Sequence, residues 1–359
     1  MPEPLKNLYS ENLLKDLSKH FKAEHSEFKK QAFIKQSLST DWGELELKDR
    51  MRRVSTTLGD FLPQHYPDAI RILLPVSSQF SGLEHLLFPD FIEQFGLNHF
   101  ELSMDALEFL TPGSSSEFAI RPFILQNPHK TMKRMAKWSL SKDEHVRRLA
   151  CEGCRPRLPW AIALPEYKKD PSAVLKIILK LMDDESLYVR RSVANNLNDI
   201  SKDNPHLVID TARQYLGQSP ETDWVIKHAC RSLLKQGNKK VLPLFGYKKA
   251  SHVSLDKFKV DKKVSNGEKL NFEFELTTQK KKLGMLRIEF IIDFMKANNK
   301  SSEKIFKISE GDFLENNKSI KKYFSFKAIS TRKYYPGKHA ISIIINGDKI
   351  ATKVFQLEE

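Results

Sequence analysis

The chain has 359 residues, 40% of them hydrophobic and 29% charged, with a formal net charge of +14 and a pI near 9.4. That length exceeds one ordinary core and predicts two domains. The basic surplus suits a polyanion, most often nucleic acid, although a Lys-rich but otherwise neutral-binding surface would give the same count. Three cysteines, Cys151, Cys154 and Cys230, are too few for a disulfide framework. No apolar run approaches the roughly 20 residues that span a bilayer, and the N-terminus lacks the pattern of a signal peptide. A cytoplasmic, reducing location is expected, with no membrane partner and a monomeric chain.

From Lys6 to about Gln236 the apolar residues recur at helical spacing. A weak repeat runs through this part. The stretches "EHVRRLACEG", "LYVRRSVANN" and "DWVIKHACRS" align at Val146, Val189 and Val225, separated by 43 and 36 residues. An apolar residue, two mostly basic ones and then small residues at that period predict HEAT-like helix pairs stacked in a solenoid. In the first helix Val146, Leu149, Ala150 and Gly153 share the inward face, while His145, Arg148, Glu152 and Arg155 share the other. Pro156 and Pro159 end it, which places Trp160 on or after a rigid loop.

The second helix carries the stripe Tyr188, Arg191, Asn195, Asp199 and Lys202; the third carries Lys227, Arg231 and Lys235. Stacked, these stripes can form a concave basic surface suited to a phosphate backbone. Carboxylates are out of place on such a surface unless they have another task. Glu152 can pair with Arg148 or Arg155, and Asp199 with Asn195 or Lys202, as local salt bridges.

The Cys-x-x-Cys of 151–154 is half of a zinc site, but no second half accompanies it, and it lies within a helix rather than after a strand. Buried small residues between helices are the expected role, with no metal.

Beyond Ser251 the period changes to two. Leu270, Phe272, Phe274 and Leu276 alternate, as do Leu286, Ile288, Phe290, Ile292 and Phe294, and Ile341, Ile343 and Ile345 run into the hairpin dipeptide Asn346-Gly347. These 109 residues predict a small β-sandwich. The linker falls in "LFGYKKASHVSL", giving domains at 1–247 and 248–359. The fold class is therefore mainly α: a HEAT-like helical-repeat solenoid followed by a smaller all-β immunoglobulin-like sandwich.

The motifs "VRRLACEGCRPRLPW", "ESLYVRRSVANNLNDISKDNP" and "DWVIKHACRSLLKQGN" together resemble the AlkC branch of the HEAT-like-repeat DNA alkylation repair glycosylases. The N-terminal "LKDLSKHF" and "VSTTLGDFLP" fit that branch, and "TRKYYPGKHAISIIINGDKIATKVFQL" resembles the immunoglobulin-like domain of some members. The resemblance covers nearly the whole chain. It implies hydrolysis of the N-glycosidic bond of N3-methylated bases, 3-methyladenine and 3-methylcytosine, in duplex DNA, without base flipping and with no metal or organic cofactor. It implies Glu152 as the first acid facing the sugar, Asp199 as the second, and Glu117 of "SSSEFAIRPF" as a third. Trp160 matches an aromatic beside the lesion, where core packing after the two prolines is the alternative. Arg148, Arg155, Arg157, Arg191, Lys227 and Arg231 are the expected DNA contacts. The tryptophan that the AlkD branch would place near residue 231 is Arg231 here.

The β-domain holds 22 Lys+Arg against 14 Asp+Glu from Ser251 on, compared with 37 and 31 before it. That surplus agrees with DNA contact through "TTQKKKLG" or "STRKYYPGKH", or with a merely Lys-rich sandwich. Two other functional classes share the pattern: a HEAT solenoid that binds DNA without catalysis, and a protein–protein scaffold.

Overall fold

Apolar residues at three- and four-residue spacing turn the first two thirds of the chain into short helices, and strict alternation turns the last third into strands. The computed structural model describes residues 3–39, 41–298, 300–329 and 332–359. The helices are α1 (Glu11–Glu24), α2 (Lys30–Ser37), α3 (Leu47–Phe61), α4 (Tyr66–Ser77), α5 (Leu87–Phe95), α6 (Phe100–Leu110), α7 (Ile120–Gln126) and α8 (Pro128–Trp138). They continue with α9 (Glu144–Glu152), α10 (Pro165–Lys169), α11 (Ser172–Ile178), α12 (Leu187–Ile200), α13 (Pro205–Tyr215), α14 (Pro220–Ala229) and α15 (Arg231–Lys235). None among the described residues is long and apolar enough to cross a membrane.

Two compact units result: Met1–Val208 with Tyr215–Ala229, and Ile209–Gln214 with Cys230–Glu359. In the first unit α9 packs on α8 and α12, and α12 packs on α14, the stacking of successive helix pairs in a solenoid. α9 starts where the Asp143 side chain accepts from the His145 and Val146 amides at 2.7 and 3.4 Å. Its apolar face, Val146, Leu149 and Ala150, is buried, as is the Val189, Val193, Leu197 face of α12.

The repeated "VRR" has a structural explanation. The first arginine of each copy folds back onto the loop that precedes its own helix. Arg147 Nη1 donates to the carbonyls of Ser141 and Lys142 at 3.1 and 2.9 Å, and Arg190 Nη1 to those of Asp184 and Glu185 at 2.5 and 3.0 Å. Loop carbonyls left over at a helix junction thus gain a charge-assisted donor. α12 is stitched on both sides by buried amides: Asn196 Nδ2 donates to the Cys151 carbonyl at 2.9 Å and Asn198 Nδ2 to that of Ala229 at 2.8 Å.

The second unit is a two-sheet sandwich. β1 (Val253–Val260), β3 (Lys269–Thr278) and β6 (Asn317–Ser325) form one sheet in the order β1-β3-β6. β2 (Lys263–Ser265), β4 (Gly284–Met295), β5 (Ser301–Phe313), β7 (Gly337–Ile345) and β8 (Asp348–Glu358) form the other in the order β2-β8-β7-β4-β5. The alternating residues read from the sequence are its core: Leu270, Phe272, Phe274, Leu276, Ile288, Ile292, Ile341 and Ile343 are all buried. Asn346 and Gly347 turn β7 into β8 at φ 48° and 83°, the positive pair that a type I′ hairpin needs.

The sandwich unit also takes in the chain from Cys230 on; the expected linker, 244–255, overlaps a short helical turn at Leu242–Phe245 and the start of β1. Gly237, itself at φ 67°, lies so close to Gly347 that a Cβ on it would come within 3.2 Å of the Gly347 Cα. β4 is buried along both faces over most of its length, and Arg287 and Glu289 pair on it at 2.7 Å. Burial pushes the Glu289 carboxyl up from its ordinary value, against the pull of Arg287.

Candidate active site

The first unit contains a cavity of about 470 Å³. α9 supplies Arg148 and, as its last residue, Glu152. The loop after α9 supplies Arg155, Leu158, Pro159 and Trp160; the loop before α7 supplies Ser115, Glu117 and Phe118. Tyr188, near the start of α12, and Tyr9, Lys48 and Met51 from the N-terminal part complete much of the wall. The "CRPRLPW" stretch cannot remain helical through its two prolines, so the chain turns back over the cavity and carries Trp160 to the rim, 68% exposed.

Two carboxylates, Glu117 and Glu152, and two guanidiniums, Arg148 and Arg155, form the charged wall, and a third carboxylate, Asp199, stands behind it. Glu152, 5% exposed, accepts from Arg155 Nη1 on Oε1 at 2.6 Å and from the Ser192 hydroxyl on Oε2 at 2.6 Å. Arg148 Nη2 lies 3.7 Å from the same Oε1. Arg148 also donates to Glu117 and sits over the Tyr188 ring at 4.7 Å. Arg155 Nε donates to Asp199 Oδ2 at 2.9 Å, and Lys202 Nζ to Asp199 Oδ1 at 3.1 Å. Burial works against both guanidiniums, but the Glu117 and Glu152 carboxylates outweigh it for Arg148, and Glu152 and Asp199 for Arg155. Both are held above their ordinary pKa. Three acids against two arginines leave the cluster one negative charge before Lys202, which stands toward solvent.

The expected residues divide by depth. Glu117, Glu152 and Trp160 reach the cavity wall. Asp199, 2% exposed, does not line it and stands behind Arg155. Arg148 and Arg155 were expected on the phosphate-binding surface; both guanidiniums are instead engaged with the acids, because the loop after α9 folds over them. Both salt-bridge alternatives are formed, Glu152–Arg155 in the cavity wall and Asp199–Lys202 behind it. Arg157 grips Asp203 through two bonds of 2.9 and 2.7 Å. Arg191 on α12 and Lys227 on α14 are exposed; Arg231 is half-buried at the start of α15, in the second unit.

Cys151, Cys154 and Cys230 are free, buried thiols. Burial pushes Cys154 and Cys230 up to about 12 and Cys151 above its ordinary value, so none offers a thiolate for redox or nucleophilic work. Among the described residues no three His, Cys, Asp or Glu side chains gather as a metal site requires.

Sequence reasoning missed Arg121, although it stands inside the quoted "AIRPF". It is fully buried. Its Nε donates to the Ile162 carbonyl at 2.6 Å and its Nη1 to those of Gly153 and Arg155, both at 2.9 Å. Burial lowers it to about 10. It clamps both ends of the loop that bears Arg155 and Trp160. A lone arginine among apolar helix neighbours was the signal available. Trp160 itself takes φ 61°, a left-handed conformation that costs a bulky residue about 1–2 kcal/mol.

Comparison with known proteins gives the family. Residues 114–233 match the DNA alkylation repair enzyme family, and residues 254–359 match the C-terminal Ig-like domain of the uncharacterised protein YhaZ. The chain is 47% identical over 355 residues to YhaZ of Bacillus subtilis (strain 168), spanning 98% of this chain and 99% of that protein. The structure of the Pseudomonas fluorescens alkylpurine DNA glycosylase AlkC bound to DNA containing an abasic site analogue is similar over 99% of this chain and 100% of that one, with 34% identity and a TM-score of 0.94. With both units matched from end to end, the chain belongs to the AlkC-type DNA alkylation repair enzymes that carry a C-terminal immunoglobulin-like domain.

Proposed function

We propose that this protein is a DNA glycosylase of base excision repair that hydrolyses the N-glycosidic bond of N3-methylated bases in duplex DNA, 3-methyladenine and 3-methylcytosine, without base flipping. The observation that carries this is the placement of Glu117 and Glu152 in the wall of a cavity whose rim bears the exposed Trp160. An N3-methylated base carries formal positive charge and is already a good leaving group. The C1′–N bond breaks with its electron pair going to the base, which leaves neutral, and the deoxyribose gains oxocarbenium character. A carboxylate beside C1′ stabilises that cation, and water then attacks C1′ and gives its proton to the carboxylate and on to solvent. The substrate's own charge activates the leaving group, so this reading needs no metal or cofactor.

Glu152 is the proposed acid at the sugar. Ser192 and Arg155 fix both of its oxygens and leave further lone pairs for water or the sugar. Glu117, tied to Arg148, is a second charge on the same wall. Asp199 acts through Arg155, whose orientation it sets. Trp160 supplies an aromatic face for the cationic base or the sugar. Arg157, Arg191, Lys227 and Arg231 are the proposed phosphate contacts. The domains proposed for these tasks are 1–247 for chemistry and 248–359 for additional DNA contact, in a monomeric, cytoplasmic enzyme.

A DNA-binding solenoid without catalysis is the second reading, favoured by the ion pairs that already engage every acid of the cluster. Base release from N-methylated duplex DNA separates the two. Wild type should release 3-methyladenine, and Glu152→Gln should lose on the order of 10²–10³ in rate, the effect of removing one preorganised electrostatic stabiliser, with duplex affinity retained. Asp199→Asn should lose rate as well. Binding without release by wild type sinks the glycosylase reading.

A further inference from the structure

Three non-glycine residues among those described have positive φ: Trp160, Lys257 and Asn346. Asn346 occupies a hairpin turn, and Lys257 lies where the β1–β3 register shifts between Asp256 and Lys259. Trp160 has neither excuse. It stands in an irregular loop, its ring is mostly exposed, and so burial of the indole does not offset the strain.

The loop's own hydrogen bonds are sparse at this point. Leu164 N–H donates to the Pro156 carbonyl at 3.2 Å and Ala161 N–H to that of Leu158 at 3.4 Å. Arg121 holds the flanks, at Gly153, Arg155 and Ile162. The Trp160 carbonyl is held from elsewhere: Lys48 Nζ, on α3 and 112 residues earlier, donates to it at 2.6 Å. The same ammonium lies 5.0 Å from the centre of the Phe118 ring, and both residues line the cavity. The Lys48 side chain thus joins the N-terminal helices to the loop tip at the mouth of the candidate active site.

We propose that Lys48 is a positioning residue: its ammonium latches the Trp160 carbonyl and keeps the indole at the cavity rim in a strained conformation that the loop does not hold by itself. Trp160 is then presented before DNA arrives, and the strain is met during folding rather than at each encounter. The assignment of a task to Trp160 rests on the glycosylase reading above; the latch itself does not. A Lys suits the role because its flexible stem reaches across from α3 and its three donors serve one carbonyl and an aromatic face together.

The test uses the full chain with 5-fluorotryptophan incorporated, and Trp160→Phe to assign the Trp160 ¹⁹F resonance. Wild type should give one Trp160 line. Lys48→Met should shift, split or broaden that line while leaving the line of buried Trp138 in place, and Lys48→Arg should restore it. An unchanged Trp160 line in Lys48→Met overturns the latch, whatever the enzyme does. Single-turnover base release then reads the consequence. Lys48→Met should slow it on the order of tenfold with affinity for undamaged duplex unchanged, and should cost nothing further in a Trp160→Ala background. An equal loss in that background, or a loss confined to affinity with a changed salt slope, makes Lys48 a phosphate contact and overturns the proposal. If wild type releases no base, the glycosylase reading fails while the ¹⁹F result still decides the latch.

Discussion

Arg155 is shared between two buried acids, Glu152 and Asp199, and its removal takes the nearest guanidinium from both. Arg155→Met keeps an unbranched stem but leaves Glu152 with Ser192 and a guanidinium 3.7 Å away, and Asp199 with Lys202 alone. Unit charges about 4 Å apart attract by about 4 kcal/mol at an effective dielectric of about 20. Two such contacts give about 8 kcal/mol gross, against several kcal/mol for desolvating each ion. Breaking a buried pair from one side costs about 3–5 kcal/mol net, and that is the expected loss. Urea unfolding followed by far-ultraviolet circular dichroism reports it, because the helices lie almost wholly in the first unit. Glu152→Gln supplies the diagnostic. In wild type it should destabilise, since it takes a partner from Arg155. In Arg155→Met it should restore stability, since it removes a buried charge that has lost its closest cationic partner. A loss under about 1 kcal/mol for Arg155→Met, or the same sign for Glu152→Gln in both backgrounds, refutes the picture of one buried network.

Asp90 is buried between Arg52, Ser55 and Gln94, with Glu93 and Lys48 nearby, and burial raises its carboxyl from 3.8 to about 6. The folded state therefore takes up this proton more readily than the unfolded chain; the contribution is full below pH 4 and lost as pH rises through 6, about 3 kcal/mol in all. Relative to wild type, Asp90→Asn should gain that amount between pH 4 and 7 in urea titrations; a pH-independent difference contradicts it. Trp160→Gly should leave stability within about 1 kcal/mol, relief of the left-handed strain offsetting glycine's added unfolded-state entropy, while base release falls at least on the order of tenfold. Asn346 accepts from the Arg287 amide at 2.7 Å and donates to the Lys248 and Met285 carbonyls at 2.7 and 3.1 Å. Asn346→Ala should cost the second unit about 2–4 kcal/mol, seen as faster amide exchange in β4 and β7.

Much of this protein was legible in the order of its residues. Period-two alternation marked the strands of the sandwich, and Asn346-Gly347 marked a hairpin that the φ angles bear out. The aligned "VRR" copies marked stacked helices. These signals are local: side-chain direction repeats every two or 3.6 residues, so neighbours in sequence report which face they share. The long motifs added the family, which the matches along both units confirm.

What the order of residues left open was depth and partnership. Tyr188 and Asp199 share one stripe of α12, yet the first is exposed at the cavity and the second is buried behind Arg155. Helical phase gives the direction of a side chain but not which loop covers that part of the helix. The bonds that build the site join residues far apart in the chain: Arg148 to Glu117, Arg155 to Asp199, Ser192 to Glu152, and Lys48 to Trp160 across 112 positions. Sequence alone determined the two folds and singled out Glu117, Glu152 and Asp199 as candidate acids, but not Arg121 or Lys48. Tertiary packing decided which acid meets the cavity, which arginines are spent on holding acids rather than left for phosphates, and where Trp160 stands. Those choices depend on how helices stack and where two prolines turn the chain, and no local period records that.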